Sequence, residues 1–186
     1  GLRRRIGDWV WLLGDDHAFA PDCLMRLLAH DVDMVVPLVY RKTIPPRTVA
    51  YRYGILEPRE EIPLADLPPP YQGGLLLSAS GQGLLPISTV GGAGLLVKAH
   101  VFETMTDPWF EVGKVQSDIV CEDFYFLDKA TQAGFTCYLD VNTVMGHTAP
   151  VTLWPVWKDG RWTVELRLPT GGSATLNPPV APARQL

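Results

Sequence analysis

Short apolar runs alternate with polar turns along the chain, and their lengths are typical of strands. Residues 9–13 (WVWLL) and 34–39 (MVVPLV) each predict a buried strand, with Pro37 marking a strand end or a bulge. Between them, the Pro-Asp pair at 21–22 predicts the first turn of a helix. A strand, a helix and a strand in succession are the signature of a parallel α/β sheet.

The middle of the chain follows a different pattern. Prolines break residues 40–72 repeatedly, which predicts a long loop with one strand at 51–56. Such a loop is either a functional lid or a disordered insertion. Residues 73–88 predict a hairpin, and 90–105 predict a glycine loop, a strand and a short helix.

The second half carries the clearest helix, at residues 117–135, where Gly134 is a natural C-terminal cap. A strand is predicted at 136–140, and a hairpin at 152–168 turns at an Asp-Gly pair. Residues 169–186 are rich in Pro and Gly and predict a loose tail.

Composition supports one domain over residues 1–168 and narrows its class. The chain is 47% hydrophobic with a net charge of −4, which argues against a nucleic-acid partner. Three scattered cysteines without a CxxC pair fit free thiols in a reducing, cytoplasmic compartment. The longest apolar stretches are strand-length, so no transmembrane segment is expected.

The first apolar run stops at Asp15, Asp16 and His17. Side chains at the C-terminal end of a strand in an open α/β sheet face the crevice where ligands bind. Two carboxylates beside an imidazole repel unless a cation compensates, and this donor set suits Mg²⁺ or Mn²⁺ with phosphate oxygens. A polar turn is the alternative.

Other candidates are weaker individually. His147 follows a strand-like run and is either a structural histidine or a ligand, depending on whether it lies near Asp16. Glu122 and Asp123 open the predicted helix, where acids complement the helix dipole or serve as a base. The glycine-rich residues 91–94 can cradle a ligand with their backbone.

Taken in order, these motifs resemble the metal-dependent GT-A glycosyltransferases, especially family-2-like enzymes of bacteria and phages. The order is a strand ending in DDH, then VGGAGLLVKAHVFETM, then EDFYFLDKATQAGF, then a strand and GHT. The resemblance covers residues 9–162. It implies a GT-A-like α/β fold, a mixed, mostly parallel sheet flanked by helices with a C-terminal β-hairpin. The implied activity is inverting transfer of a sugar from a nucleotide-sugar donor to a hydroxyl acceptor such as a glycan.

By that resemblance, GDDH occupies the place of the DxD motif, which binds a divalent ion, Mn²⁺ or Mg²⁺, and the donor diphosphate. Asp16 is the favoured ligand, Asp15 and His17 are alternatives, and His147 completes the metal site.

The resemblance also assigns the remaining site. Asp123, with Glu122 beside it, matches the carboxylate base. The loop that borders donor and acceptor matches Gly92, Ala93 and Gly94. Trp109 and Phe110 lie where an acceptor can stack, with core packing as the alternative.

The family's nucleotide-binding segment is expected before residue 9, and little of it is present in this chain. We therefore expect a fragment or a divergent short form, whose exposed sheet edge would favour a homo-oligomer. A non-catalytic remnant that binds a partner or glycan is the first alternative. A metal-dependent nucleotidyl or phosphoryl transfer enzyme is the second.

Overall fold

The computed structural model describes residues 7–43, 47–52, 60–67, 83–92, 94–115 and 118–176. In these ranges the α-helices are α1 (Cys23–Ala29), α2 (Ala99–Thr104) and α3 (Glu122–Gln132), and Leu64–Asp66 form a 3₁₀ turn. The strands, in chain order, are β1 (Trp9–Leu12), β2 (His17–Phe19), β3 (Met34–Leu38), β4 (Ala50–Arg52), β5 (Glu60–Glu61), β6 (Leu84–Ile87), β7 (Thr89–Val90), β8 (Leu95–Lys98), β9 (Gly113–Val115), β10 (Asp118–Val120), β11 (Cys137–His147), β12 (Thr152–Lys158), β13 (Arg161–Arg167) and β14 (Ser173–Leu176).

The central sheet has the strand order β1-β8-β3-β11-β2, with β6 also paired to β11. Among the described pairings only β3 with β11 is parallel, and the others are antiparallel. The prediction of a mostly parallel, helix-flanked α/β sheet is therefore wrong. The physical reason is that β8 inserts between β1 and β3 and runs antiparallel to both, so the first strand-helix-strand unit does not pair with itself.

Strand β11 is the longest in the sheet and changes partners along its length. Its first half, Cys137 to Asp140, lies between β3 and β6. The register with β3 shifts between Asp140 and Val144, opposite Pro37 and Leu38. After the shift, its final residues pair antiparallel with β2, with His147 opposite His17.

The core lies between the central sheet and the helices. On α3, Phe126, Leu127 and Ala130 are buried. The largest fully buried side chains are Phe126, Leu27, Met34, Ile62, Leu96, Leu127 and Leu139. Burial of this kind contributes about 25 cal/mol per Å² of apolar surface, which makes the core the main source of stability.

Several local predictions are confirmed, and others change in extent. The strands at 9–13 and 34–39 form as β1 and β3, and the helix at 117–135 is shorter because residues 118–120 form β10. Gly134 ends α3 with φ +94°, a conformation that L side chains rarely adopt. Of the predicted strand at 51–56 the structure describes only the part in β4, and the first strand of the hairpin at 73–88 lies outside the described residues.

The C-terminal strands form a separate antiparallel sheet in the order β12-β13-β14. The predicted hairpin is confirmed, and Asp159 and Gly160 both have positive φ at its turn. Strand β14 lies within the segment that was predicted to be a loose tail, and it pairs with β13. Residues 177–186 lie outside the described residues.

A buried hydrogen bond between a histidine and an aspartate ties α1 to β11. His30 Nε2, at the end of α1, lies 2.9 Å from Asp140 Oδ2, and the two side chains are 9% and 2% exposed. Burial alone would raise the pKa of Asp140. Hydrogen bonds from His30, the Thr143 hydroxyl and the Asn142 amide outweigh that effect and hold the pKa below its usual value.

We predict that Asp140→Asn lowers the free energy of unfolding by about 3 kcal/mol, because it removes a buried carboxylate that accepts several hydrogen bonds. Because the folded pKa is lowered, the stabilisation from the carboxylate is complete above its unfolded value of about 4 and is lost as the pH falls through the folded pKa. Denaturant unfolding at pH 7 and at pH 3 should show the largest difference between the two proteins at pH 7.

Asp31→Asn is the matched control, since Asp31 pairs with Lys98 but its side chain is 83% exposed. It should change the free energy of unfolding by less than about 0.5 kcal/mol. Equal effects of the two substitutions would contradict a special role for the buried pair.

Candidate metal centre

Strand pairing brings two histidines together at one end of the central sheet. His17 begins β2 and His147 ends β11, and the two residues are direct partners in the antiparallel register. Their rings stack with centroids 4.9 Å apart and an interplanar angle of 11°. Asp16 lies in the turn just before β2, and its side chain contacts both imidazoles.

The three side chains present a compact donor set. Asp16 Oδ2 lies 3.2 Å from His147 Nε2, and Asp16 Oδ1 lies 3.3 Å from His17 Nδ1. One ligand atom from each residue can be chosen so that all three lie within 4.8 Å of one another. The condition set for His147, that it lie near Asp16, is met, whereas the alternative ligand Asp15 is exposed and outside the cluster.

The contact with Tyr40 identifies which ring nitrogen of His147 carries a proton. His147 Nδ1 lies 3.0 Å from the carbonyl oxygen of Tyr40, which can only accept, so Nδ1 carries a proton and donates it. In a neutral ring Nε2 then has a lone pair, and this nitrogen faces a carboxylate oxygen of Asp16. Two acceptors in contact require a second proton on the ring or a cation between them.

His17 has an unusual environment. Its side chain is only 4% exposed, and neither ring nitrogen has a hydrogen-bond partner among the described residues. A buried polar group left without a partner costs about 1–3 kcal/mol. A cation bound between His17 and Asp16 would satisfy one of these nitrogens.

Asp16 is held both by its backbone and by a neighbouring charge. Its carbonyl oxygen accepts hydrogen bonds from the Thr148 amide at 2.8 Å and from the Thr148 hydroxyl at 2.9 Å. The Lys42 ammonium donates to Asp16 Oδ2 and is the main cause that lowers the pKa of Asp16 to about 2. The carboxylate is therefore ionised throughout the neutral range.

Gly14 leaves room for this arrangement. A Cβ atom at Gly14 would lie 2.7 Å from His17 Nδ1, which is too close, and 3.0 Å from Asp16 Oδ1, which is a tight contact. Beside the cluster is an open cleft of about 270 Å³, lined by Leu38, Tyr40, Arg41, Val144, Met145, Gly146 and His147.

The predicted base lies at the start of α3. The Gly92 amide donates to Asp123 Oδ2, and the Cys121 thiol donates to Asp123 Oδ1 at 2.6 Å. Desolvation and this hydrogen bond raise the pKa of Cys121 to about 11, so the thiol stays protonated. Glu122 is exposed beside it.

The predicted glycine loop contacts both regions. Gly92 binds Asp123, while a Cβ at Gly94 would lie 2.7 Å from the sulfur of Met145, two residues before His147. Ala93 lies outside the described residues.

The predicted stacking residues pack against other aromatic rings. Trp109 contacts Phe102 edge-on, and Phe110 stacks on Phe126 with centroids 4.8 Å apart. The Trp109 indole also donates to the carbonyl oxygen of Met105. These contacts place both rings against α2 and α3.

Sequence reasoning missed Lys42, Tyr40 and Gly14. Lys42 and Tyr40 lie in the segment that was interpreted as a proline-broken loop, where nothing in the pattern distinguishes a site residue. Gly14 had a detectable signal, since it directly precedes the acidic pair in the GDDH motif.

Comparison with known proteins identifies no family. No protein-family model and no curated protein matches the chain. A solved structure of the viral protein A197 from STIV is similar over 97% of this chain and 72% of its own, with 15% identity and a TM-score of 0.49. A TM-score below 0.5 does not establish a shared fold.

The inferred membership of the GT-A glycosyltransferases is corrected by the sheet itself. The fold is rich in strands and its curled sheet is mainly antiparallel, whereas that family was expected to have a mostly parallel one. Over the ranges that the structure describes, no helix is long and apolar enough to cross a membrane.

We predict that Gly14→Ala displaces the His17 ring and the Asp16 carboxylate, and weakens Mn²⁺ binding by more than about tenfold. Electron paramagnetic resonance of free Mn²⁺ would measure the affinity, and imidazole NMR shifts would report the ring. Gly146→Ala is the control, because its Cβ would meet only ordinary contacts at 3.6 Å. Unchanged His17 shifts in Gly14→Ala would contradict the steric argument.

Proposed function

We propose that Asp16, His17 and His147 bind a divalent metal ion, and that the chain uses this site to transfer a sugar from a nucleotide-sugar donor to an acceptor hydroxyl. The observation that carries the metal site is the buried His17 ring without a hydrogen-bond partner, beside an ionised carboxylate and a second imidazole. A polar turn with no ligand would leave that cost uncompensated.

The donor set favours Mn²⁺ over Mg²⁺ among the two expected ions. Mg²⁺ prefers oxygen ligands in octahedral geometry, whereas two of the three donors here are imidazole nitrogens. Three protein ligands also leave coordination positions open for oxygens of a substrate. When bound, the metal would supply positive charge that offsets the charge developing on a departing diphosphate.

The residues of the chain would hold and position the reactants. His147 lines the cleft, where a diphosphate can approach, and the hydrogen bond to Tyr40 keeps its imidazole in one tautomer. Asp123 would accept the proton of the acceptor hydroxyl as that oxygen attacks the sugar, which gives inversion in a single displacement.

The contacts of both carboxylate oxygens support including Asp123 in the proposed active site. The Gly92 amide fixes one carboxylate oxygen, and the same glycine segment reaches Met145 on the strand that ends in His147. The second carboxylate oxygen accepts hydrogen bonds from the Cys121 thiol and the Phe124 amide. We expect an acceptor hydroxyl to replace the thiol, which is the weaker donor.

A second candidate is a non-catalytic binding module, and the C-terminal sheet favours it. Leu153 and Trp157 on β12 are each 62% exposed, and their side of the sheet also carries Val164, which is exposed on β13. Exposed apolar clusters of this kind mark interaction surfaces more often than catalytic ones.

The setting that we propose is a reducing, cytoplasmic one. Cys23, Cys121 and Cys137 are all free, and two of them are buried. Free thiols persist where glutathione and thioredoxin keep them reduced.

The metal site is tested by titration with Mn²⁺ and, separately, Mg²⁺. We expect one Mn²⁺ to bind, and Asp16→Asn and His147→Ala each to weaken binding by more than about tenfold. His100→Ala is the control, because His100 also faces an aspartate, Asp33, at 3.2 Å but lies outside the cluster. Equal Mn²⁺ affinity in all four proteins would refute the site.

The catalytic role is tested by a mass-spectrometric product scan with UDP- and GDP-sugars and a panel of hydroxyl acceptors. Asp123→Asn should lose transfer by at least about 100-fold while it retains Mn²⁺ affinity, since general-base catalysis contributes about 10²–10⁴-fold. Glu122→Gln separates the two neighbouring carboxylates and should remain active. Normal turnover by Asp123→Asn would exclude it as the base, and no product with any donor would favour the binding module.

A further inference from the structure

The Lys42 ammonium already lies at the oxygen that a metal ion would use. It donates to Asp16 Oδ2, and the same oxygen is 3.2 Å from His147 Nε2. Asp16 Oδ2 thus faces both the ammonium and a ring nitrogen. A bound metal ion would take the place of the ammonium. Because two cations at one oxygen repel, a divalent ion at Oδ2 must displace the ammonium.

The backbone of Lys42 is anchored, so a released side chain would stay nearby. The Lys42 carbonyl oxygen accepts a hydrogen bond from the Thr170 hydroxyl at 2.5 Å. The neighbouring Arg41 amide donates to the Arg47 carbonyl at 2.8 Å. A lysine stem has four flexible carbons, so the ammonium can swing while the main chain remains fixed.

Arg41, the neighbour of Lys42 in the chain, lines the cleft beside His147. Arg41 contributes to its wall, and the Arg41 guanidinium lies 5.3 Å from the centre of the Tyr51 ring and 3.7 Å from Glu61. These contacts hold the guanidinium, while Arg41 as a residue forms part of the cleft wall. A lysine released from Asp16 would add a second positive charge close to the first.

We propose that Lys42 occupies the metal position until a divalent ion replaces it, and that the released ammonium then binds a phosphate group in the cleft together with Arg41. The inference rests on the metal site proposed above and adds a regulation to it. Metal and phosphate should bind cooperatively, because the ion frees the lysine that the anion requires. The same chemistry applies to inorganic phosphate and to the diphosphate of a nucleotide.

The first arm of the test measures Mn²⁺ affinity with the competing cation removed. Lys42→Met should bind Mn²⁺ about fivefold more tightly than the wild type, because no ion pair has to be broken. Lys98→Met is the matched control, since Lys98 also pairs with an aspartate, Asp31 at 2.9 Å, but that aspartate lies outside the cluster. It should bind Mn²⁺ as the wild type does.

The second arm measures cooperativity with a phosphate anion. Inorganic phosphate and UDP, each corrected for its own Mn²⁺ chelation, should raise the Mn²⁺ affinity of the wild type by about threefold or more. Neither should do so in Lys42→Met. A response to UDP alone would identify a nucleotide diphosphate as the anion, and a response to both would identify any phosphate group.

The outcomes separate the inference from the proposed function. If Mn²⁺ binds and requires His147, but Lys42→Met binds it no more tightly, the inference is overturned and the metal site stands. If Mn²⁺ binds to none of the proteins, both fall. Lys42→Gln repeats the measurement with a polar side chain, and thermal unfolding checks that each variant is folded.

Discussion

The antiparallel pairing of β2 with the end of β11 is the constraint on which the candidate site depends. It places His17 opposite His147 and carries Asp16 to the same point. Since side chains alternate across a strand, a slip of one residue would send one histidine to the other face of the sheet. The register shift in β11 before Val144 is what lets one strand pair with β3 at its start and with β2 at its end.

The cluster contains contacts that are energetically unfavourable. A buried imidazole without a hydrogen-bond partner is a costly arrangement, and a nearby lysine offsets only the charge of the carboxylate. These unfavourable contacts lie where the backbone is otherwise well hydrogen-bonded. For example, the Thr148 hydroxyl donates to the carbonyl oxygen of Asp16. Local cost within a well-ordered frame is common at functional sites.

The sequence predicted the local elements better than their arrangement. The apolar run at 9–13 and the glycine cap of α3 depend on neighbouring residues, and both are confirmed. Strand order depends on contacts between distant residues, and no periodicity indicated that β8 would lie between β1 and β3. The antiparallel sheet followed from that insertion.

The site was predictable in part for the same reason. Asp16 and His17 are adjacent in the chain and stood out as a charged end to an apolar run, and His147 was a candidate through its own short motif. Lys42 reaches the cluster from a segment with no distinguishing pattern, because its role depends on where the chain folds back. A single residue that reaches the site from another segment of the chain produces no sequence motif that could be recognised.

The separation of the candidate ligands along the chain affects when the site can form. Asp16 and His147 are 131 residues apart, and every neighbouring pair in the main path of the central sheet joins strands that are not consecutive. At a synthesis rate of about 5–20 residues per second, the ribosome makes the first ligand on the order of ten seconds before the last. Within that interval the amino-terminal ligands have no partner strand. The proposed metal site can therefore form only after β11 has been made and has paired with β2.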